Sequence, residues 1–163
     1  MPQEYSAGAV IFHRSGNTIK YLLLKHIAEA TSQPGYWGFS KGHIEPGENL
    51  KQTTIREVEE ETSLKDLLFI DGFQEKVEFF FKRKKHDGQY ETIYKEVIFH
   101  LVESKSTQVA IPLDSHEHCE FVWLEYDEAM KRATHENSKR ILNKANNLLK
   151  SLPAITLAKE GVV

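Results

Sequence analysis

The sequence contains very little cysteine and no long apolar run. Cys119 is the only cysteine among 163 residues, so no internal disulfide can form, and we expect a reducing, cytoplasmic environment and a buried structural thiol. No stretch of about 18 apolar residues occurs, so no transmembrane helix is expected. The first residues lack the basic stretch and apolar run of a signal peptide. We therefore expect neither secretion nor a membrane partner.

Neither sign of charge dominates. The 21 Lys and Arg stand against 24 Asp and Glu, and the formal net charge is -3. Proteins that grip a nucleic-acid backbone usually present a strongly basic face. We therefore expect no stable nucleic-acid partner, although a small anionic ligand needs only a few local cations or a metal.

The length and the hydrophobic content indicate one globular domain. A chain of 163 residues with 40% hydrophobic residues has enough material for a sizeable core. We place a single domain at residues 1–152 and a C-terminal tail of unknown order at residues 153–163. A monomer is favoured.

Runs of apolar and β-branched residues predict six strands and three helices around them. The strands are expected at Tyr5–Phe12, Ile19–Lys25, Leu67–Phe73, Lys76–Phe81, Thr92–Val102 and Phe121–Leu124. The helices are expected at Asn49–Thr62, Tyr126–Thr134 and Ser138–Leu152. A loop is predicted from Ala28 to Tyr36, and Pro46-Gly47 suits a type II turn. This order of elements predicts a layered α+β domain.

The first predicted helix concentrates negative charge. Glu57, Glu59, Glu60 and Glu61 stand within five consecutive positions. At about 100° per residue, three of them share an arc of roughly 100°, whereas Glu59 points elsewhere and is expected in solvent. Like charges at helical spacing repel by roughly 0.2–0.5 kcal/mol per pair. Either a solvated helix paired with Lys51 and Arg56, or a hard divalent cation, explains this cost.

The opposite side of the same helix carries a narrow apolar stripe. Ile55, Val58 and Thr62 fall within an arc of roughly 60° on a helical wheel. We therefore expect these three residues to pack against the sheet.

The spacing of residues around these glutamates favours the divalent cation over the solvated helix. Gly42 is followed after five residues by Glu48, after seven more by Arg56-Glu57-Val58, and after one more by Glu60-Glu61. With Leu64, this pattern resembles the Nudix box, Gly-x5-Glu-x7-Arg-Glu-U-x-Glu-Glu-x-Gly-U, in which U is aliphatic. Eight of its nine specified positions match.

The ninth position is Ser63, where the Nudix box has a glycine. That glycine lies at a helix end, where left-handed backbone is often needed. We expect Ser63 either to adopt this conformation at some cost or to send the loop along another path. Because the acidic positions are untouched, activity is expected to be retained.

The resemblance to the Nudix family implies an α-β-α sandwich around a mixed β-sheet and a metal-dependent hydrolase. It implies that Glu57, Glu60 and Glu61 hold Mg²⁺ or Mn²⁺, that Arg56 orients a glutamate, and that Glu48 anchors the loop. Water would attack phosphorus while a carboxylate removes its proton. Glu60, Glu57 and Arg56 are thus the expected catalytic residues. Which glutamate is the base stays open, because coupled carboxylates share that character.

Outside the box, the sequence is most similar to the asymmetrically cleaving diadenosine tetraphosphate hydrolases, over roughly residues 5–150. The similarity lies in residues 7–12 with 21–24, residue 37 with 41–48, residues 115–118, and residues 123–124. It implies hydrolysis of diadenosine tetraphosphate to ATP and AMP. It also implies substrate contacts from Lys41, Gly42 and Lys95 near the phosphates, and from Tyr36 and His135 at an adenine.

The three phenylalanines Phe79–Phe81 are further candidates for adenine stacking. Aromatic residues in a strand are more often part of a core. We expect a core position for at least two of the three.

The segment Ser115-His116-Glu117-His118 tests this resemblance. In an extended strand, Glu117 would share a face with Cys119 and point to an apolar interior edge, with His116 and His118 on the other face. In the resembled enzymes this glutamate reaches the metal from outside the box. We interpret the two histidines as surface residues, and a zinc site is the weaker alternative.

Two other functions stay open. One is another Nudix activity, on RNA 5′ ends or on nucleoside triphosphates. The other is a nucleotide sensor that binds without turnover, which a complete set of metal ligands argues against.

Overall fold

A computed structural model describes residues 1–27 and 35–152. Within these ranges the elements are β1 (Gln3–Ser15), β2 (Thr18–His26), β3 (Tyr36–Gly38), β4 (Ser40–His43), α1 (Leu50–Thr62), β5 (Leu68–Lys84), β6 (Tyr90–Glu103), β7 (His118–Glu125), α2 (Tyr126–Arg132) and α3 (Glu136–Ser151). The predicted tail and all but the last two residues of the predicted loop lie outside the described residues. Across the described ranges, no helix combines the length and the apolar character needed to cross a bilayer.

The strands form one open, mixed sheet in which β1 is central. Strand β1 pairs in parallel with β6 and antiparallel with β2 and β4. The antiparallel pairs β6 with β5, β2 with β3 and β2 with β7 extend the sheet. The neighbour of β1 changes along its length, from β4 at Ser6–Ala9 to β2 at Phe12–Ser15. Strand β4 therefore lies at the middle of the sheet, where α1 covers it.

Successive residues of β1 alternate between two hydrophobic cores. Val10 and Phe12 pack in a core that includes Ile141 of α3, whereas Ala9 and Ile11 pack in a second core with Val58 of α1. Helices consequently cover both faces of the sheet. The predicted α+β class and α-β-α sandwich are confirmed.

The predicted strands differ from the observed ones at β3, β4 and β5. The predicted loop is wrong at Tyr36, which begins β3, and β4 was not predicted, because strands of three or four residues are too short to show alternation. The two strands predicted at Leu67–Phe73 and Lys76–Phe81 are one strand, β5. Its pairing is interrupted by a bulge between Phe69 and Gln74.

The turn before α1 forms as predicted. Gly47 has φ +84°, and Glu48 N–H donates to Glu45 O at 3.0 Å across Pro46-Gly47. Asn49 then begins the helix with a capping box, in which its Oδ1 accepts from Gln52 N–H at 2.8 Å. This turn places Glu48 beside the first turn of α1.

The buried face of α1 matches the predicted apolar stripe at Val58 and Thr62 but not at Ile55. Its buried residues are Thr53, Thr54, Val58, Glu61 and Thr62. Ile55 is 46% exposed, so its predicted contact with the sheet is wrong. The buried face is centred near Glu61, and small threonine side chains allow the helix to approach the sheet there.

Ser63 ends α1 in the left-handed conformation, with φ 65°. Its N–H donates to Glu59 O at 2.9 Å, and its Oγ donates to Ala110 O at 3.0 Å. A non-glycine residue in this region costs about 1 kcal/mol, and a side-chain hydrogen bond contributes about 1 kcal/mol. The Oγ contact therefore offsets the strain that glycine would avoid.

We expect Ser63→Ala to lower the free energy of unfolding by about 1 kcal/mol, because alanine keeps the strain and loses the hydrogen bond. Ser63→Gly should stay near the wild-type value, because glycine removes both the backbone strain and the hydrogen bond to Ala110, and the two effects offset each other. Urea denaturation of the three proteins measures the difference. Equal stability of Ser63→Ala and wild type would show that the contact with Ala110 contributes nothing.

Candidate metal and nucleotide site

Strand β4 brings Gly42 against the middle of α1. A Cβ built on Gly42 would lie 1.9 Å from Glu57 Cδ. The carboxylate of Glu57 therefore occupies the space that any other residue at position 42 would fill. Its side chain is only 12% exposed, and burial raises the pKa of Glu57.

Glu61 is a buried carboxylate with two unlike oxygens. Its Oε1 accepts from Ser40 Oγ at 2.7 Å and from Lys41 N–H at 3.0 Å. Its Oε2 accepts no hydrogen bond from the described residues, although His118 Nε2 lies 3.1 Å away. Burial raises the pKa of Glu61 to about 8, despite the hydrogen bond from Ser40. An open oxygen on a buried carboxylate is typical of a cation site.

Arg56 ties the acidic residues to the loop before the helix. Its Nε and Nη2 donate to the two oxygens of Glu48 at 2.7 and 3.0 Å, and its Nη1 lies 2.8 Å from Glu57 Oε1 and 3.2 Å from Glu60 Oε2. Nη2 also donates to His43 O at 2.9 Å. Chiefly through Arg56, the pKa of Glu48 falls to about 2. One guanidinium thus fixes three carboxylates and the end of β4.

Glu59 and Glu60 are adjacent but face different ways. Glu60 is 57% exposed and lies against Arg56, whereas Glu59 is 49% exposed and pairs with Lys65 at 3.6 Å. The structure therefore places Glu59 in solvent and away from the other acids, as the helical spacing indicates.

Glu117 and His118 approach Glu61 from another part of the chain. One ligand atom from each of the three lies within 4.8 Å of the others. The predicted positions are wrong for Glu117, which is exposed, and for His118, which is only 3% exposed, whereas His116 is exposed as predicted. Strand β7 begins only at His118, and a register shift between Lys25 and His26 breaks the assumed alternation. The predicted burial of Cys119 is also wrong, because that thiol is exposed.

His26 forms a buried contact that the sequence did not reveal. Its Nε2 lies 3.1 Å from Phe39 O, its Nδ1 lies 3.1 Å from His118 Nε2, and its ring stacks on Tyr36 at 4.5 Å. Burial lowers the pKa of His26 to about 2 and that of His118 to about 4. A histidine at the end of an apolar strand was the only sequence signal, and by itself it does not indicate a partner.

A cavity of about 630 Å³ opens beside the acidic cluster. The predicted substrate residues that line it are Tyr36, Lys41, Lys95 and His135. The rings of Tyr36 and His135 lie 4.8 Å apart. Lys41 joins the cavity to the acidic cluster, because its N–H is the group that donates to Glu61.

The three consecutive phenylalanines Phe79–Phe81 of β5 are not core residues. Phe79 is 39% and Phe80 62% exposed, and Phe81 is half-buried. The predicted core position for at least two of them is therefore wrong. Phe79 and Phe81 line the cavity, and their rings lie 6.2 Å apart.

The acidic residues fit a hard divalent cation. Glu61 Oε2 is buried without a hydrogen bond from the described residues, and Gly42 leaves room for the Glu57 carboxylate. Carboxylate oxygens are the ligands that Mg²⁺ and related ions prefer. An ion here would turn the repulsion within the cluster into attraction.

The NUDIX domain family matches residues 2–145. The chain belongs to the Nudix family. It is 34% identical to the asymmetrical bis(5′-nucleosyl)-tetraphosphatase of Rattus norvegicus, over 91% of this chain and 97% of that protein. A crystal structure of a Caenorhabditis elegans Ap4A hydrolase binary complex is 28% identical, with a TM-score of 0.72, and covers 91% of this chain and 99% of that one.

More distant Nudix proteins share the fold. The NUDIX domain of Shewanella oneidensis NrtR, solved with ADP ribose, has a TM-score of 0.63 at 17% identity, over 91% of this chain and 90% of that one. The match to the NUDIX domain and the similarity to the tetraphosphatases make the protein a Nudix hydrolase, and Nudix hydrolases depend on divalent metal ions.

We expect Gly42→Ala to weaken Mn²⁺ binding by about tenfold or more, because the new Cβ displaces the Glu57 carboxylate. Stability should change little, since the three nearest atoms to that Cβ all lie at the flexible end of Glu57. Calorimetric titration with Mn²⁺ and thermal unfolding of the metal-free protein measure the two effects. Wild-type affinity in the variant would show that Glu57 is not a ligand.

Proposed function

We propose that the protein hydrolyses diadenosine tetraphosphate to ATP and AMP. The observation that carries this proposal is the position of Lys41, which lines the aromatic cavity while its N–H binds the buried acid of the cluster. If the base of a nucleotide lies in the cavity, its phosphates would therefore lie near the carboxylates of the acidic cluster. The similarity to asymmetrical tetraphosphatases along nearly the whole chain supports the same substrate.

The acidic cluster is the proposed metal site, with Mg²⁺ as the ion and Mn²⁺ as a substitute. Glu57, Glu60, Glu61 and Glu117 would hold it. A divalent ion bound there supplies neutralisation of the phosphate oxygens as negative charge develops on them. Arg56 holds Glu57 and Glu60 in position, and Glu48 links Arg56 to the turn before α1.

The proton of the attacking water goes to a carboxylate of this cluster. Glu60 and Glu57 are the proposed catalytic carboxylates, and Arg56 is the residue that orients both. Burial of the Glu57 side chain, with other acids beside it, raises its pKa, which brings the carboxylate closer to the strength that a general base needs near neutral pH. Coupled carboxylates titrate together, so the base belongs to the cluster.

The cavity is the proposed nucleoside site. Tyr36 and His135 present rings on one side, and Phe79 and Phe81 present rings from β5. Aromatic rings bind a base by stacking, with about 1–3 kcal/mol per base. Lys41, with Lys95 from β6, supplies the positive charge for the phosphates, and Gly42 leaves the backbone of β4 open to the cluster.

The cytoplasm is the proposed location. The single cysteine is exposed in this fold, and a reducing compartment keeps an exposed thiol from forming intermolecular disulfides.

A panel of nucleotides tests the proposed substrate. Purified protein with Mg²⁺ is incubated with diadenosine tetraphosphate, nucleoside triphosphates and RNA with a 5′ triphosphate, and the products are separated by ion-exchange chromatography. We expect the dinucleotide to be consumed at the highest kcat/KM. An intact dinucleotide beside triphosphate converted to monophosphate and pyrophosphate would contradict the proposal. Binding without turnover of any of these compounds would favour a sensor.

A further inference from the structure

Buried groups form a continuous path from the nucleotide cavity to the acidic cluster. His26 lies under Tyr36, His118 lies next to His26, and Glu61 lies next to His118. The exposed fractions of the three are 6%, 3% and 6%. No step of the proposed hydrolysis uses either histidine.

The contacts of His26 fix its tautomer. Its Nε2 lies 3.1 Å from Phe39 O, and a carbonyl oxygen only accepts, so Nε2 carries the hydrogen. In the neutral ring the other nitrogen, Nδ1, is then an acceptor. His118 Nε2 lies 3.1 Å from this Nδ1 and therefore donates to it.

His118 Nε2 has two acceptors within reach and one hydrogen to give. It lies 3.1 Å from His26 Nδ1 and 3.1 Å from Glu61 Oε2. Only the contact with His26 has the geometry of a hydrogen bond, since Glu61 Oε2 receives none from the described residues. Without an acceptor at position 26, the nearest acceptor for this N–H would be Glu61 Oε2.

We infer that His26 is a positioning residue for metal binding, which accepts the N–H of His118 and so keeps Glu61 Oε2 open to a divalent cation. This inference rests on the metal role proposed for Glu61. His26 acts through His118, since its hydrogen-bonding contacts within the described residues are with Phe39 O and His118. An N–H directed at Oε2 would compete with the cation for the same lone pair and would lower metal affinity.

Two substitutions separate the hydrogen bond from the stacking contact. His26→Phe keeps an aromatic ring under Tyr36 but has no acceptor, whereas His26→Gln loses the ring and keeps both an acceptor and a donor. We expect His26→Phe to weaken Mn²⁺ binding to the protein without nucleotide by about tenfold, and His26→Gln to restore it. Calorimetric titration with MnCl₂ measures both. Equal losses in the two variants, or none in His26→Phe, would overturn the inference.

A second background tests the route through His118. In a His118→Phe protein no N–H remains to be redirected, so adding His26→Phe should leave Mn²⁺ affinity unchanged. A further loss in the double variant would overturn the inference. His118→Phe alone should bind Mn²⁺ at least as tightly as the wild type, and this holds as a test even where His26→Phe does not fold. A clear loss of affinity in His118→Phe would instead make His118 a ligand.

Glu61→Gln distinguishes failure of the inference from failure of the proposed metal site. If Glu61→Gln weakens Mn²⁺ binding and His26→Phe does not, only the role of His26 is wrong. If Glu61→Gln binds Mn²⁺ as the wild type does, Glu61 is not a ligand and both proposals fail. Circular dichroism of the metal-free variants checks that each is folded.

Discussion

Glu60→Gln should lower kcat for diadenosine tetraphosphate by about 10³-fold, which is the usual scale for a lost acid–base or metal-orienting carboxylate. Glutamine keeps the size of the side chain and removes the charge that faces Arg56 and Glu57. Because Glu60 is more than half exposed, the fold should be unaffected. Steady-state kinetics at saturating Mg²⁺ measure the change.

The neighbouring residue provides a matched control. Glu59 lies on the same helix with a similar exposed fraction, but its partner is Lys65. Glu59→Gln should therefore retain wild-type kcat and KM. Comparable losses of kcat in Glu59→Gln and Glu60→Gln would mean that the total negative charge of the helix matters, and that the position of Glu60 on the helix does not.

Arg56→Lys should lower kcat/KM by about 10²-fold, because small displacements of catalytic groups cost that much. The guanidinium contacts Glu48 through Nε and Nη2, and it contacts both Glu57 and Glu60 through Nη1. An ammonium is a single point donor and cannot span these three acids in a fixed geometry. The charge is conserved, so the loss reports geometry.

Arg83→Lys is the control for this substitution. Arg83 is half exposed and pairs with Glu4 and Glu91 at the far end of β5, where the same exchange should leave kinetics unchanged. Full activity in Arg56→Lys would show that the box glutamates keep their positions without the bidentate contact to Glu48.

The centre of the fold and the common side of Glu57, Glu60 and Glu61 on α1 could be predicted because both depend on local patterns. Regular spacing places Glu57, Glu60 and Glu61 on one side of a capped helix, and Gly47 sets the turn before it. Long apolar strands such as β1 and β2 are also visible as runs. These features need no knowledge of what lies across the sheet.

The features that the sequence did not reveal depend on contacts between distant parts of the chain. His118 is buried because β7 pairs with β2 across a register shift at His26. The alternation of apolar and polar residues along either strand does not predict this shift or its position. Ile55 is exposed because threonines and Glu61 face β1 and β4. The burial of His118 and the exposure of Ile55 thus depend more on what packs against each side chain than on the residue type.

The stoichiometry of products from diadenosine tetraphosphate tests the central claim most directly. Wild-type protein with Mg²⁺ is incubated with the dinucleotide, and every adenine nucleotide is quantified over time, with a chelator and with Glu60→Gln as controls. We predict ATP and AMP in equal amounts from the first time point, and neither product in the controls. Two molecules of ADP for each substrate consumed, or an unconsumed substrate, would contradict the proposed reaction.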